Sequence, residues 1–212
     1  MKIICIGRNY AEHAAELGDE PPTEPLVFGK FANTLIGPGE PILLPREATH
    51  VDAEAELAVE IGRAGRRIAE ADALHHVRGY RCANDVSARN IQYAESQWTR
   101  AKGFDTFCPL GDRLAPVGDL GDGSGLRVVQ RLNGEVMQDG NTRDLIFPVP
   151  FLVSYVSNAF TLEPGDLILT GTPPGVGYAR DPKVALRPGD TVEVEVQGIG
   201  VLSNPVVAED GV

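Results

Sequence analysis

Acidic and apolar residues alternate along residues 51–62, which read VDAEAELAVEIG. Successive side chains of a β-strand point to opposite faces, so this alternation predicts a strand with one apolar and one acidic face. The apolar face needs a covering layer, which requires a sheet packed on a hydrophobic core. Two interpretations of the acidic face remain open, exposure to solvent or a cation held by some of its carboxylates, Asp52, Glu54, Glu56 and Glu60.

Turn-forming residues are frequent along the whole chain, which contains 24 Gly and 16 Pro in 212 residues. Their spread favours many short strands joined by turns over long helices. An Asn-Gly pair in LNGEV, residues 132–136, predicts a β-hairpin, and RNYAEHAAELG, SARNIQYAE and the end of DLIFPVPFLVSYVSNAF predict short helices. Since no linker or repeat divides the chain, we expect one strand-dominated α+β domain over residues 1–212.

The charge and the cysteines exclude several classes of protein. A net charge of −11 repels nucleic acid phosphates, and three widely spaced cysteines without a CxxC pair indicate buried reduced thiols. The first ten residues hold an apolar run of only four residues, too short for the core of a signal peptide. No segment approaches the roughly 20 apolar residues of a membrane helix. We therefore expect a soluble, cytoplasmic protein that binds neither nucleic acid nor membrane.

Three carboxylates are candidate metal ligands. Glu54 and Glu56 are two residues apart, so a strand would point both side chains the same way. Magnesium prefers oxygen ligands, and a third carboxylate could come from Asp85, which lies between a predicted strand and a predicted helix. Taken alone, Asp85 fits a helix cap or turn better than a metal ligand, and alternating acids are common on solvated strands.

Two further groups could carry chemistry. His13 and Glu16 are three residues apart on a predicted helix and share one face, where a carboxylate could fix the tautomer of a basic imidazole. An exposed pair would show the same spacing. Lys102 stands between Ala and Gly, which by itself indicates an exposed lysine.

Four segments carry a family resemblance through their order and spacing: DAEAELAVEIG, GYRCANDVSARN, KGFDTFCPLG and PGDLILTGTPPGVG. Together they resemble the fumarylacetoacetate hydrolase family, especially its short single-domain acylpyruvate hydrolases and oxaloacetate decarboxylases or tautomerases. The likeness extends from IGRNYAEH to GIGVLSNPV, nearly the whole chain. It implies a mixed β-roll or β-sandwich, of the type of that family's C-terminal domain, with short outer helices.

The resemblance assigns roles within a single site. It makes Glu54, Glu56 and Asp85 the ligands of Mg²⁺ or Mn²⁺, and it leaves Asp52 and Glu60 as solvated or supporting members of their face. Lys102 would face the metal. The pair His13 and Glu16 would lie on a mobile lid, residues 8–18, and activate water. Substrate contacts are expected from Arg8, Lys30, Arg89, Gln92 and Thr172. The segment TGTPPGVG lacks the lysine of a phosphate loop, which disfavours a nucleotide site.

The implied substrate is a small 2,4-dioxo or β-oxo acid that reacts through a metal-stabilised enolate. Acylpyruvate hydrolysis, oxaloacetate decarboxylation and keto–enol tautomerisation share that enolate. An isomerase, hydratase or decarboxylase of an aromatic meta-cleavage pathway could use the same site, as 2-hydroxyhepta-2,4-diene-1,7-dioate isomerases do. A non-enzymatic metal-binding protein is disfavoured because all the expected groups are present. The family also implies a homodimer.

Overall fold

Two mixed β-sheets pack against each other across the main hydrophobic core in a computed structural model that describes residues 1–209. The strands are β1 (Ile3–Gly7), β2 (Leu26–Lys30), β3 (Leu35–Ile36), β4 (Ile42–Leu44), β5 (Val51–Asp52), β6 (Ala55–Ile61), β7 (Val77–Asn84), β8 (Ser87–Ala88), β9 (Cys108–Pro109), β10 (Ala115–Pro116), β11 (Arg127–Leu132), β12 (Glu135–Asn141), β13 (Leu167–Leu169), β14 (Thr191–Val196) and β15 (Gly200–Ala208). The α-helices are α1 (Ala11–Glu16), α2 (Arg89–Ala94), α3 (Thr99–Lys102), α4 (Val117–Leu120) and α5 (Val149–Ala159). Short 3₁₀ helices lie at Ala32–Thr34, Glu70–His76, Thr142–Asp144 and Gly177–Ala179.

The larger sheet has six strands in the order β10-β7-β6-β13-β1-β2, and the second has five in the order β12-β11-β14-β15-β4. Each sheet contains one parallel pair, β1 with β13 and β15 with β4, among antiparallel neighbours. Two small ladders, β3 with β9 and β5 with β8, complete the strand pairing of the described residues. The strand-dominated α+β prediction is confirmed.

The main core lies between the two sheets and beneath α5. Leu57 and Val59 of β6 meet Val194 of β14 there, and Leu152 and Val156 of α5 close one side. Burying one such aliphatic side chain stabilises the fold by about 1.5–3 kcal/mol. Helix α5 is the longest described helix, at 11 residues. No helix among residues 1–209 has the length and apolar character needed to cross a membrane.

The predicted hairpin is present, with β11 and β12 joined at Asn133 and Gly134. Both residues have positive φ, 52° and 84°, which a two-residue type I′ turn requires and which Asn and Gly tolerate. All three cysteines are free and buried, as expected.

The alternating acidic segment forms two strands, β5 and β6, with a break at residues 53–54. Strand β6 lies inside the six-stranded sheet between β7 and β13, and every one of its residues is buried. Of the two alternatives expected for Asp52 and Glu60, the solvated one is therefore wrong. Glu60 pairs with Arg78 and Arg81 at 2.7 and 2.6 Å, and Asp52 pairs with Arg89 at 3.0 Å.

Candidate active site

Three buried carboxylates converge where β6 begins and β7 ends. The pairing of Ala55 with Asn84 in these antiparallel strands places Glu54 and Glu56 beside Asp85, and the Asp85 amide donates to the Glu54 carbonyl at 2.9 Å. One carboxylate oxygen from each of the three residues lies within 4.8 Å of the others. The structure thus brings together the three residues expected to bind metal, and the solvated-face and simple helix-cap interpretations are wrong.

Two lysines neutralise part of this carboxylate cluster, which we define as Glu54, Glu56 and Asp85. Lys102 Nζ donates to Glu54 Oε2 at 2.8 Å and to Asp85 Oδ2 at 2.7 Å. Lys30 Nζ contacts Asp85 Oδ1 and the backbone oxygen of residue 86. Lys102 is only 2% exposed, so the exposed interpretation suggested by its sequence neighbours is wrong.

The pKa values of the Glu54 and Glu56 carboxyls are shifted in opposite directions. Burial would raise the pKa of the Glu54 carboxyl, but the cations of Lys102 and Arg89 outweigh burial and lower that pKa well below its ordinary value. For Glu56 burial dominates, and Asp85 and Glu54 reinforce it, so the Glu56 pKa lies well above its ordinary value. A hard divalent cation would relieve this repulsion, and an all-oxygen donor set suits Mg²⁺ or Mn²⁺. The residues therefore fit the expected metal.

Arg89 pairs with the Glu54 carboxylate oxygen that Lys102 does not contact. Its Nε donates to Asp52 Oδ2 at 3.0 Å, its second terminal nitrogen lies 2.7 Å from Glu54 Oε1, and the first donates to Gln92 Oε1 at 2.9 Å. Asp52 also accepts a hydrogen bond from the Gly177 amide at 3.0 Å. Asp52 is thus a buried support for Arg89, a role that strand alternation alone did not reveal.

Helix α1 presents a hydrogen-bonded histidine and glutamate pair to the same region. His13 Nδ1 lies 2.7 Å from Glu16 Oε1, and Glu16 Oε2 accepts a hydrogen bond from the Gly175 amide at 2.8 Å. His13 is 4% exposed, so the interpretation as an exposed pair is wrong. A carboxylate can only accept, which places the proton on Nδ1 and leaves Nε2 for proton exchange.

Two glycines of TGTPPGVG direct backbone amides at these carboxylates. The Gly171 amide donates to Glu56 Oε2 at 2.7 Å, and the Gly175 amide binds Glu16. Their φ angles are +103° and +107°, and a Cβ on Gly175 would lie 2.3 Å from the Met137 carbonyl oxygen. Only glycine meets both requirements without strain. Both amides thus bind acidic side chains of the protein itself.

The three carboxylates, His13 and Lys102 line one cavity, which has a free volume of about 20 Å³, room for about one water molecule. Other expected site residues also line it: Arg8, Arg89, Gln92 and Thr172. Its wall also includes residues that were not expected individually as site residues: Ile6, Gly7, Leu17, Phe28 and Trp98. The only available signal was that Trp98 is the single tryptophan of the chain.

Two expected substrate contacts are already engaged within the protein. The Thr172 hydroxyl donates to the Ala55 carbonyl at 2.9 Å and accepts from Gln138 at 2.7 Å, which leaves it only acceptor capacity. Lys30 is buried against Asp85, and the cavity wall is formed by other residues. Lys30 therefore contacts Asp85 instead of the cavity.

Residues 2–207 match the model of the family described as fumarylacetoacetate (FAA) hydrolase C-terminal, and the chain belongs to this family. An oxaloacetate tautomerase of Xenopus laevis, fahd2, mitochondrial, is 48% identical over 208 residues, which are 97% of this chain and 65% of the relative. The human oxaloacetate tautomerase FAHD2A, mitochondrial, is 46% identical, with 97% and 66% covered. This chain thus spans slightly less than two thirds of the length of these curated relatives.

Solved structures of differently named enzymes have the same fold as this chain. A fumarylpyruvate hydrolase from Pseudomonas aeruginosa, in complex with Mn²⁺ and pyruvate, has a TM-score of 0.90 at 33% identity, with 99% of this chain and 90% of that chain covered. A 5-carboxymethyl-2-hydroxymuconate delta-isomerase from Mycobacterium smegmatis has a TM-score of 0.87 at 44% identity, with 98% and 79% covered. The expected fold type is confirmed.

Proposed function

We propose that this chain carries the active site of a Mg²⁺- or Mn²⁺-dependent enzyme that transfers a proton at C3 of small 2-oxo acids. The principal reaction that we propose is the tautomerisation of oxaloacetate. The observation that carries the proposal is one cavity lined by His13, Lys102 and the carboxylate cluster. The names of the tautomerases at 46–48% identity support the reaction, and the Mn²⁺–pyruvate complex of the hydrolase supports the metal and the substrate head group.

Glu54, Glu56 and Asp85 would hold the metal ion, and a bound Mg²⁺ or Mn²⁺ supplies electrostatic stabilisation of negative charge on a carbonyl oxygen. His13 Nε2 can take a proton from C3, because Glu16 holds the imidazole by its other nitrogen. The charge then gathers on the C2 oxygen, where the positive charge of Lys102 can stabilise it. The three N–H groups of Lys102 donate to Glu54, Asp85 and Ser87, so Lys102 acts here through its charge. Transfer of that proton from His13 to the C2 oxygen gives the enol and completes tautomerisation, and the reverse transfer restores the keto form.

With α1 in its present position, the cavity volume of about 20 Å³ is too small for a 2-oxo acid. Arg8 pairs with Asp19 at 2.8 Å, the Gly175 amide holds Glu16, and Tyr10 forms a bridge with Leu145. Asn9 fastens the start of the segment by hydrogen bonds to residues 146, 147 and 170, so we expect the part of residues 8–18 that follows Asn9 to move when substrate enters. The closed segment would then exclude bulk water from His13. Its mobility stays a prediction.

Hydrolysis of the C3–C4 bond of acylpyruvates is the second candidate. His13 Nε2 could deprotonate a water molecule as readily as a carbon acid, and the cavity has room for about one water beside it. The name of the fumarylpyruvate hydrolase relative favours this possibility. Both reactions place the same 2-oxo acid end near Lys102.

The test is a substrate panel on purified protein with Mg²⁺, with Mn²⁺ and after exhaustive chelation. Oxaloacetate enol loss and acetylpyruvate cleavage are followed by ultraviolet absorbance. We expect metal-dependent oxaloacetate tautomerisation that His13→Ala abolishes. Cleavage of acetylpyruvate with slow tautomerisation would make the second candidate the principal activity. No metal-dependent turnover of any 2-oxo acid would overturn the proposal.

A further inference from the structure

One cation of the cavity wall is not committed to the carboxylate cluster. Lys102 and Arg89 both pair with Glu54. Arg8 also lines the cavity, but its ion-pair partner is Asp19, which lies beyond the end of α1. Arg8 is therefore the wall cation that can meet a new anion without releasing a metal ligand.

The Arg8 guanidinium also has an unsatisfied donor. Its Nε is buried and has no hydrogen-bond partner among residues 1–209, whereas its terminal nitrogen lies 2.8 Å from Asp19 Oδ2. A buried donor without an acceptor costs free energy, so this atom favours any ligand that offers an oxygen. A carboxylate fits best, because guanidinium donors match its geometry and charge.

The guanidinium is held in place before any ligand arrives. Its central carbon lies 5.3 Å from the centre of the Trp98 ring, and Trp98 in turn packs edge-on against Phe28 at 5.4 Å. Arg8 has a φ of +55°, a left-handed conformation that is uncommon for residues other than glycine, Asn and Asp. Backbone and ring contact together direct this side chain to the cavity wall rather than to free solvent.

The Asp19 pair can yield to a ligand. The two side chains are 29% and 31% exposed, so water screens their attraction and the pair is weaker than the buried pairs of the cluster. A ligand carboxylate could use the free Nε alone or replace Asp19 altogether. Either arrangement adds a charge-assisted hydrogen bond that the ligand-free protein lacks.

We propose that Arg8 binds a second carboxylate of the substrate, at the end away from the 2-oxo acid group, so that the site selects dicarboxylates over monocarboxylates. This inference rests on the proposed function for the position of the 2-oxo acid end. The alternative is that Arg8 only fastens α1 through Asp19. In that case substitution of Arg8 would weaken the binding of every ligand by the same factor.

A matched pair of ligands separates these two roles. Malate and 2-hydroxybutanoate share the 2-hydroxy acid head and differ only by a carboxylate in place of a methyl group. Both are stable and transparent where tryptophan fluoresces. Each is titrated into the Mg²⁺-loaded protein by calorimetry and by the fluorescence of Trp98, and the measured quantity is the ratio of the two dissociation constants.

We expect wild-type protein to bind malate at least about tenfold more tightly than 2-hydroxybutanoate, as one charge-assisted hydrogen bond allows. Arg8→Met should weaken malate about tenfold or more and change 2-hydroxybutanoate by less than about twofold. Asp19→Asn should shift the ratio further toward malate, because it removes the internal competitor. Arg127→Met is the control, since it also removes one guanidinium paired with an aspartate, Asp139, on the exposed surface.

Equal weakening of both ligands by Arg8→Met would overturn the inference, and so would wild-type protein without a preference for malate. A control variant that changed the ratio as Arg8→Met does would also overturn it. Circular dichroism confirms that each variant is folded. Failure of the proposed function would show as absence of metal-dependent turnover, which is a different measurement. The ratio of the two dissociation constants tests the role of Arg8 independently of turnover.

Discussion

Lys102 Nζ lies 2.8 Å from Glu54 Oε2, although 48 residues separate the two along the chain. Both side chains are buried, and burial works against the charged form of each. The carboxylates Asp85 and Glu54 nonetheless raise the pKa of Lys102 above its ordinary value. The ammonium group is therefore charged in the folded protein and acts as an internal counterion of the cluster.

Lys102→Met should destabilise the metal-free protein by about 3–5 kcal/mol, because it leaves buried carboxylates uncompensated. Added Mg²⁺ should then stabilise the variant more than it stabilises wild type, which urea unfolding with and without Mg²⁺ measures. Lys183→Met, at an exposed lysine, is the control. Equal stability of wild type and Lys102→Met without metal would contradict this reading.

Glu56→Gln should weaken Mn²⁺ binding by at least about tenfold, because it removes one of three anionic ligands while keeping the side-chain shape. Electron paramagnetic resonance of free Mn²⁺ measures the affinity without any activity assay. The matched variant is Glu60→Gln, on the same strand but paired with Arg78 and Arg81. Unchanged Mn²⁺ affinity in Glu56→Gln would place the metal elsewhere.

His13→Ala should retain a near-normal melting temperature and lose about 10²–10⁴-fold in kcat, the usual contribution of a general base. Helix α1 is only six residues long and adds little to the core. Glu16→Gln should lower kcat less, since the ring can keep a neutral hydrogen bond. His75→Ala, at an exposed histidine, should leave kcat unchanged, and wild-type turnover in His13→Ala would remove His13 from the mechanism.

Gly175→Ala should both destabilise the protein and slow turnover. The added Cβ would clash with the Met137 carbonyl, and a shifted Gly175 amide would release Glu16. Gly165→Ala isolates the backbone term, because Gly165 also has a positive φ, +88°, but a Cβ there meets nothing within 4 Å. We expect a loss of about 1–2 kcal/mol in Gly165→Ala and a larger loss in Gly175→Ala. Equal losses with normal turnover would argue against the clash.

The three thiols should resist modification in the native state. Burial raises the pKa of Cys82 to about 11 and of Cys108 to about 12, and it raises the pKa of Cys5 as well. The native protein therefore holds these protons at pH values where the unfolded chain, with thiol pKa values near 9.0, releases them. Stability should be full below pH 9 and fall as the pH rises through 11–12.

Ellman's reagent at pH 8 and urea unfolding between pH 8 and 10.5 check this expectation. No thiol should react before unfolding and all three should react afterwards. Rapid reaction of one thiol in the native protein would show that its surroundings are open to solvent.

Local patterns predicted the parts of the fold that neighbouring residues decide. The turn at Asn133 and Gly134 depends on two adjacent φ angles, and the pair His13 and Glu16 depends on one helical turn. Glu54 and Glu56 are likewise fixed relative to each other by a single strand. In each case the relevant contact lies within a few residues of sequence.

Alternation could not show whether a strand face is covered by other parts of the chain. For Glu60 the alternation left solvent exposure and a supporting role open, and β7 supplies Arg81, 21 residues away, as its partner. Lys30 was expected to contact substrate, and its ammonium group instead meets Asp85 across 55 residues. These long-range partners depend on sheet order, which no local period encodes.

The charges around the carboxylate cluster favour one order of binding. The cluster and Asp52 carry four formal negative charges, and Lys30, Lys102 and Arg89 carry three positive ones, which leaves a formal charge of −1. An anionic acid arriving first would meet net repulsion at this spot, whereas a dication arriving first turns the local charge to +1. Under the proposed function we therefore expect the cation to bind before the acid, so that at low free cation the site would stay empty instead of holding substrate unproductively.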